Sequence, residues 1–152
     1  MNKLTLVLLF ALFSLGIFAQ GYQFETLINI EPSKVKSQGQ TGTCWSFATT
    51  SFLESEIMRI TGNQLDISEM FIVRNTYEQK AWNYVMRQGN TRFSEGGLAH
   101  DVINTITDFG IVPQSEFTDI FGNDKIYNHN EIVPAVKTIL DAYIKNDINS
   151  NC

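Results

Sequence analysis

Apolar residues recur at helical spacing in four stretches of the chain, separated by breaks rich in glycine, proline and small polar residues. The first stretch predicts a helix over about 44–60. Phe47, Ala48, Phe52 or Leu53, and Ile57 fall on one side of it and leave Glu54, Glu56 and Arg59 for the wet side. Gly62 and Asn63 supply a stop of the left-handed type. The run Asp66-Ile67-Ser68-Glu69 then offers a choice of caps for a second helix over about 70–87. That helix carries Phe71, Val73, Tyr77, Ala81, Trp82, Tyr84 and Val85.

A loop over 88–97 leads to a third helix over about 98–109, with Val102, Ile103, Ile106 and Phe109 inward and Gly110 ending it. Gly122-Asn123-Asp124 marks a turn. The last helix, over about 132–145, has Pro134 in its first turn, where proline is tolerated, and an apolar face of Val136, Ile139, Leu140, Tyr143 and Ile144. Ahead of the first helix, residues 21–30 alternate loosely through Phe24, Leu27 and Ile30, as a short strand or an extended lead-in would; 32–43 reads as loop. Helices dominate, with few strands.

The first residues belong to a different pattern. One positive charge at Lys3 precedes an almost wholly apolar run over 4–18, and Ala19 offers a small residue before Gln20. This is the pattern of a secretory signal peptide cleaved after Ala19, and the run is short of the ~20 residues a spanning helix needs. The expected organisation is a signal peptide over 1–19 and one domain over 20–152, exported to the periplasm or beyond the cell, with no membrane span after cleavage. At 152 residues, 43% hydrophobic and 12% aromatic, the chain has the composition of a globular domain with a real core. Its net charge is −5 and no basic run occurs, which argues against nucleic acid as a partner. Export permits a disulfide between the two cysteines, Cys44 and Cys152, but Cys152 ends a mostly polar run and Cys44 sits in a far more specific setting.

That setting is Gln38-Gly39-Gln40-Thr41-Gly42-Thr43-Cys44-Trp45-Ser46-Phe47. A cysteine attacks as thiolate, and a helix N-terminus favours negative charge. A glutamine amide six residues upstream, together with a backbone N–H, would place donors where charge develops on a carbonyl oxygen during acyl transfer. The segment resembles the nucleophile segment of the papain-like cysteine peptidases. The resemblance implies an α+β papain-like fold, of which this chain would be the helix-rich N-terminal lobe. It further implies Cys44 as nucleophile, Gln38 as oxyanion-hole donor, Trp45 as a packing residue beside the site, and a peptide as substrate. Ser94-Glu95-Gly96-Gly97-Leu98 resembles the same family's cleft border, where a glycine pair lets an extended substrate backbone approach; Gly96 and Gly97 are the implied substrate-binding residues.

Two features resemble the bleomycin hydrolase and bacterial aminopeptidase C branch. Thr41 stands where papain itself has a disulfide cysteine, and the short stretch between the signal peptide and the motif leaves no room for a long inhibitory pro-region. The run Ile111-Val112-Pro113-Gln114-Ser115-Glu116 also resembles that branch, whose members are mostly intracellular. The resemblance implies no cofactor.

A papain-like site also needs a histidine base and an asparagine to orient it, ~130–150 residues after the cysteine, which falls beyond residue 152. His100 reads as a surface or cap residue of the third helix, and His129 as a solvated loop histidine in Tyr127-Asn128-His129-Asn130. A metal site from His100, Asp101 and Asp108 would have one histidine and no second cluster, so no metal is expected. The chain is therefore expected to hold half an active site and to be weakly active or inactive by itself. The competing reading is a non-catalytic lobe that binds peptide or a partner protein, with association through an exposed lobe interface. A thiol-transfer role for Cys44 has no Cys-x-x-Cys to support it.

Overall fold

The computed structural model describes residues 21–118 and 126–150. The predicted leader, the Gly122-Asn123-Asp124 turn and Cys152 lie outside them. Four helices follow in chain order: α1 Cys44–Thr61, α2 Glu69–Met86, α3 Ala99–Phe109 and α4 Ile132–Ser150. Their starts and stops follow local chemistry. Gly62 adopts a left-handed φ of 72° and its N–H reaches Met58 O at 2.8 Å, closing α1. Ser68 caps α2, its Oγ accepting from Phe71 N at 3.1 Å. Asp101 reaches back to the Leu98 N–H at 2.7 Å to start α3.

Helix α2 is the centre of the molecule and packs against the other three; α1 and α3 also touch. Trp45, Ile67, Met70, Ile72, Val73 and Val102 form the main core, with Phe47, Leu53, Ile57 and Ile106 packed around it. A second cluster of Tyr84, Phe93 and Ile144 holds α4 to α2. Among the described residues extended pairing is confined to two isolated bridges, Gln40 with Asn128 and Ile67 with Pro113. Residues 21–30 form no strand and are exposed, so the lead-in alternative holds there.

The helix positions match the hydrophobic pattern; several of the buried faces do not. On α1, Phe52 is 63% exposed and Ala48 is exposed, whereas Ser46, Thr50 and Glu54, spaced four apart, are buried. Glu54, expected in water, is 2% exposed. The reason is a polar partner that periodicity does not register. Lys36 enters beneath α1 and bonds Glu54 at 3.2 Å, Asp66 at 2.7 Å and Glu69 at 2.5 Å. Glu54 also accepts the Ile67 N–H at 2.7 Å, and Thr50 donates to Glu69 at 3.2 Å. Ile103, Phe109, Ile139 and Tyr143, all expected on apolar faces, are likewise exposed, as is Trp82, because that side of each helix is not covered by another of the described elements. His129 is buried rather than solvated: its backbone N–H bonds Gln40 O at 3.2 Å and its ring packs edge-on against Tyr77.

Candidate active site

Cys44 is the first residue of α1 and its side chain is exposed, while Trp45 and Ser46, immediately after it, are buried. This pairing follows from the helix start. One turn of α1 is anchored by Trp45 in the core and by Ser46 donating to Glu69 O at 3.1 Å, which leaves the thiol at the rim. Thr43, fully buried, precedes the helix, and its carbonyl accepts from Ser46 N at 2.9 Å.

Gln38 lies half-buried in the loop that leads to Cys44. Its Nε2 donates to Thr41 O at 2.5 Å, and Thr41 Oγ1 donates back to Gln38 O at 2.8 Å, so the loop closes on itself. A primary amide has two N–H donors, and this contact occupies one of them. Gly39 makes the turn possible. Its φ is +63°, and a Cβ there would run into the Tyr127 carbonyl, which the neighbouring Gln40 N–H bonds at 2.8 Å.

The glycine pair comes to the same end of the molecule. Gly97 packs its α-carbon on the Trp45 indole so closely that a Cβ would lie 2.6 Å from the ring. Gly96 faces open space, with nothing within 4 Å of the point a Cβ would occupy. Gly42, Ser94, Glu95, Gly96, Gly97 and Leu98 line an open groove of about 730 Å³ beside Cys44's loop. The structure thus brings the four residues singled out in the sequence to two adjoining loops: Gln38 and Cys44 on one, Gly96 and Gly97 on the other.

Two further residues of this region are not singled out in the sequence for a role. Glu95 accepts the Gly42 N–H through its carboxylate and the Trp45 indole N–H, at 3.0 Å, through its carbonyl. Lys80, from α2, lies 5.7 Å over the Trp45 ring and donates to Ser94 O at 3.3 Å and to Gly96 O. Burial lowers the Lys80 pKa, and the charge of Asp101 opposes that in part. Tyr77, beside Lys80, has its hydroxyl pushed up by burial and by the Glu95 charge. A carboxylate before a glycine pair is the one hint the sequence held; a contact across fifty residues has no local pattern.

The two histidines sit in different settings. His100 is exposed on α3, 3.4 Å from Asp101, and His129 is buried against Tyr77. Among the described residues no group of three or more His, Cys, Asp or Glu side chains is placed to hold a metal ion. No described helix is long and apolar enough to cross a membrane.

An exposed thiol opening a helix whose first turn is anchored in the core, beside a glycine-bordered groove, is the arrangement expected of a thiol peptidase. Residues 28–139 match the papain family cysteine proteases, and the chain belongs to that family. It is 25% identical to the senescence-specific cysteine protease SAG39 of Oryza sativa subsp. indica over 114 residues, 74% of this chain and 31% of that protein. Over 41 residues, 27% of this chain, it is 44% identical to cysteine proteinase 2 of Zea mays and to pro-cathepsin H of Mus musculus, covering 11% and 12% of those proteins. The chain thus spans less than a third of the curated relatives it matches. By that match the chain carries a papain-like domain, and its described residues are helix-rich with few strands.

Proposed function

We propose that this chain is the N-terminal, helix-rich lobe of an exported cysteine peptidase of the aminopeptidase C and bleomycin hydrolase type. Cys44 is the nucleophile that forms a thioester acyl-enzyme, and Gln38 donates to the oxyanion. Gly96 and Gly97 border the cleft in which an extended peptide lies. The single observation that carries this reading is the exposed Cys44 at the first position of α1, with Gln38 folded onto the same loop and the glycine groove beside it.

Each role has its physical ground. The helix N-terminus supplies favourable potential for a thiolate. The second Gln38 N–H and the Cys44 backbone N–H are donors of the type that stabilises a tetrahedral oxyanion. Gly96, with nothing within 4 Å of the point a Cβ would occupy, leaves room for a substrate backbone. The base that takes the thiol proton, and the acid that protonates the leaving amine, are assigned to sequence outside these residues, since the matched stretch is 31% of a curated relative's length. The chain alone is therefore expected to turn over peptide weakly or not at all. The aminopeptidase character rests on Thr41 and the run 111–116.

A second reading, a non-catalytic lobe that binds peptide in the same groove, is favoured by His100 and Asp101. Both line the groove and pair with each other at 3.4 Å, so they offer polar groups to a bound peptide without serving the thiol. Assay of the chain and of Cys44→Ala with aminoacyl and peptidyl fluorogenic substrates separates the two. Residual turnover lost in Cys44→Ala supports the peptidase. Peptide binding with no Cys44-dependent turnover, in this chain or in any longer form of the protein, supports the binding lobe.

A further inference from the structure

Glu95 and Lys80 join two loops that the chain brings together from positions fifty residues apart. The Glu95 carboxylate accepts from the Gly42 N–H, and its carbonyl accepts from the Trp45 indole at 3.0 Å. One residue thus grips the nucleophile loop on both sides of Cys44. Its neighbours are held in turn by Lys80, whose ammonium takes the carbonyls of Ser94 and Gly96 while lying 5.7 Å over the Trp45 ring and 6.0 Å over Tyr77. Gly97 rests directly on that same indole.

The contacts are of the strong kinds. A carboxylate on a backbone N–H and an ammonium on two carbonyls are charge-assisted; the bonds from Lys80 to Ser94 O and from the Trp45 indole to Glu95 O are partly buried, and the Gly42 contact is exposed. Apart from these bonds and the seat of Gly97 on the indole, the glycines of the two loops offer no side chain to fix their spacing. Gly42 and Gly96 lack side chains, and Gly42 is exposed. Burial lowers the Lys80 pKa, while its place between the Ser94 and Gly96 carbonyls and over two aromatic faces favours the ammonium.

We propose that Glu95 is a positioning residue, backed by Lys80, that sets the distance between the Cys44 loop and the glycine wall of the groove. This rests on the peptidase reading for its purpose and not for its existence. A substrate backbone seated along Gly96 and Gly97 presents its carbonyl to Cys44 only while that spacing is kept, and an error of about 1 Å costs such a site on the order of a hundredfold in rate.

The test is amide hydrogen exchange by NMR on the full chain, read at the Gly42 amide and the Trp45 indole N–H. In Glu95→Ala the Gly42 amide, which loses its carboxylate acceptor, is expected to exchange about tenfold faster, the size of losing one charge-assisted bond, while the Trp45 indole, whose acceptor is the main-chain carbonyl that alanine retains, and the amide of Val102 in the core keep their wild-type rates. Glu95→Gln keeps a carbonyl acceptor at the same reach and is expected to restore most of the protection; a merely structural disturbance would not be rescued in this way. Lys80→Met removes the donor to the Ser94 and Gly96 carbonyls and is expected to speed exchange at the Trp45 indole, whose acceptor is the Glu95 carbonyl between them. Wild-type exchange at Gly42 in Glu95→Ala would overturn the clamp. Iodoacetamide labelling of Cys44 is followed in the same samples. A thiol that does not react in the wild type counts against the peptidase reading and leaves the exchange result standing, so the two failures are told apart.

Discussion

Gly96 and Gly97 are adjacent, chemically identical, and differ in what an added methyl group would meet. A Cβ on Gly97 would overlap the buried Trp45 ring, and one on Gly96 would enter open groove. Gly97→Ala is therefore expected to destabilise the chain by about 1–3 kcal/mol in urea unfolding through displacement of the indole. Gly96→Ala should stay within about 0.5 kcal/mol of the wild type and act, if at all, on peptide binding. Equal destabilisation by both would show that Trp45 is not what Gly97 exists to accommodate. At this scale the sequence was most readable where chemistry is local. Cys44, Gln38 and the glycine pair stand out because the roles proposed for them, nucleophile, donor and bare backbone, each call for a particular residue type at a particular spacing. Glu95 and Lys80 were silent because their partners are carbonyls and N–H groups, which nearly every residue has. His129 misled for the related reason that a polar neighbourhood in sequence became a buried one once Gln40 and Tyr77 closed over it.

At the scale of elements, the helices were legible and the inward faces were not. Capping and stop signals such as Ser68 and Gly62 act within one turn, so they survive in the sequence. The face of α1 is decided by Lys36, a loop residue that turns a polar stripe into the buried one. One ammonium there serves three carboxylates, two of which are almost fully buried. Burial would lower the Lys36 pKa, but its bonds to Asp66 and Glu69 and the charges of Glu69 and Glu54 outweigh that and raise it above the ordinary lysine range. Glu69 moves upward as well, because its own burial exceeds what a shared Lys36 returns. The two directions agree once the charges are weighed: a cluster with more carboxylates than ammonium groups holds the lysine proton tightly and takes up another readily.

Lys36→Met leaves Glu54 and Glu69 buried without their counter-charge, and a cost of about 3 kcal/mol is expected. That is the low end for a broken buried pair, because the lysine side chain keeps 22% exposure. Since Lys36 is raised, its contribution is whole below the ordinary lysine range and is lost only in strongly alkaline solution. For Glu69 the folded carboxyl holds its proton more tightly than the unfolded one. Its contribution is whole below the ordinary glutamate range, near about pH 4.3, and is lost as pH rises through the higher folded value. In Glu69→Gln the urea midpoint should therefore lack that part of the decline with rising pH. A difference between variant and wild type that is flat from acid to neutral pH would contradict the assignment.

For the molecule as a whole, α2 gathers the other three helices, and the core it makes leaves the Cys44 loop and the glycine loop together at one rim. That arrangement gives the family match its meaning: the stable part of the domain exists to present an exposed thiol beside a groove. Export belongs to this scale too. The polar and apolar order of the first residues predicts cleavage after Ala19, so N-terminal sequencing of the secreted protein should begin at Gln20. A mature protein that still carries the apolar run over 4–18 would mean that the segment is retained as an anchor.

The central claim is that Cys44 forms an acyl-enzyme, and intact-mass analysis after brief exposure to an activated aminoacyl ester tests it most directly. Such an ester has a leaving group that needs no general acid, so the chain's own thiol should suffice for the first half of the reaction. The account predicts the added mass of one acyl group, mapped to the peptide bearing Cys44, slowed in Gln38→Ala and absent in Cys44→Ala. Acylation that persists unchanged in Cys44→Ala, or a wild-type chain that gains no acyl group while its Cys44 remains reduced, would contradict it.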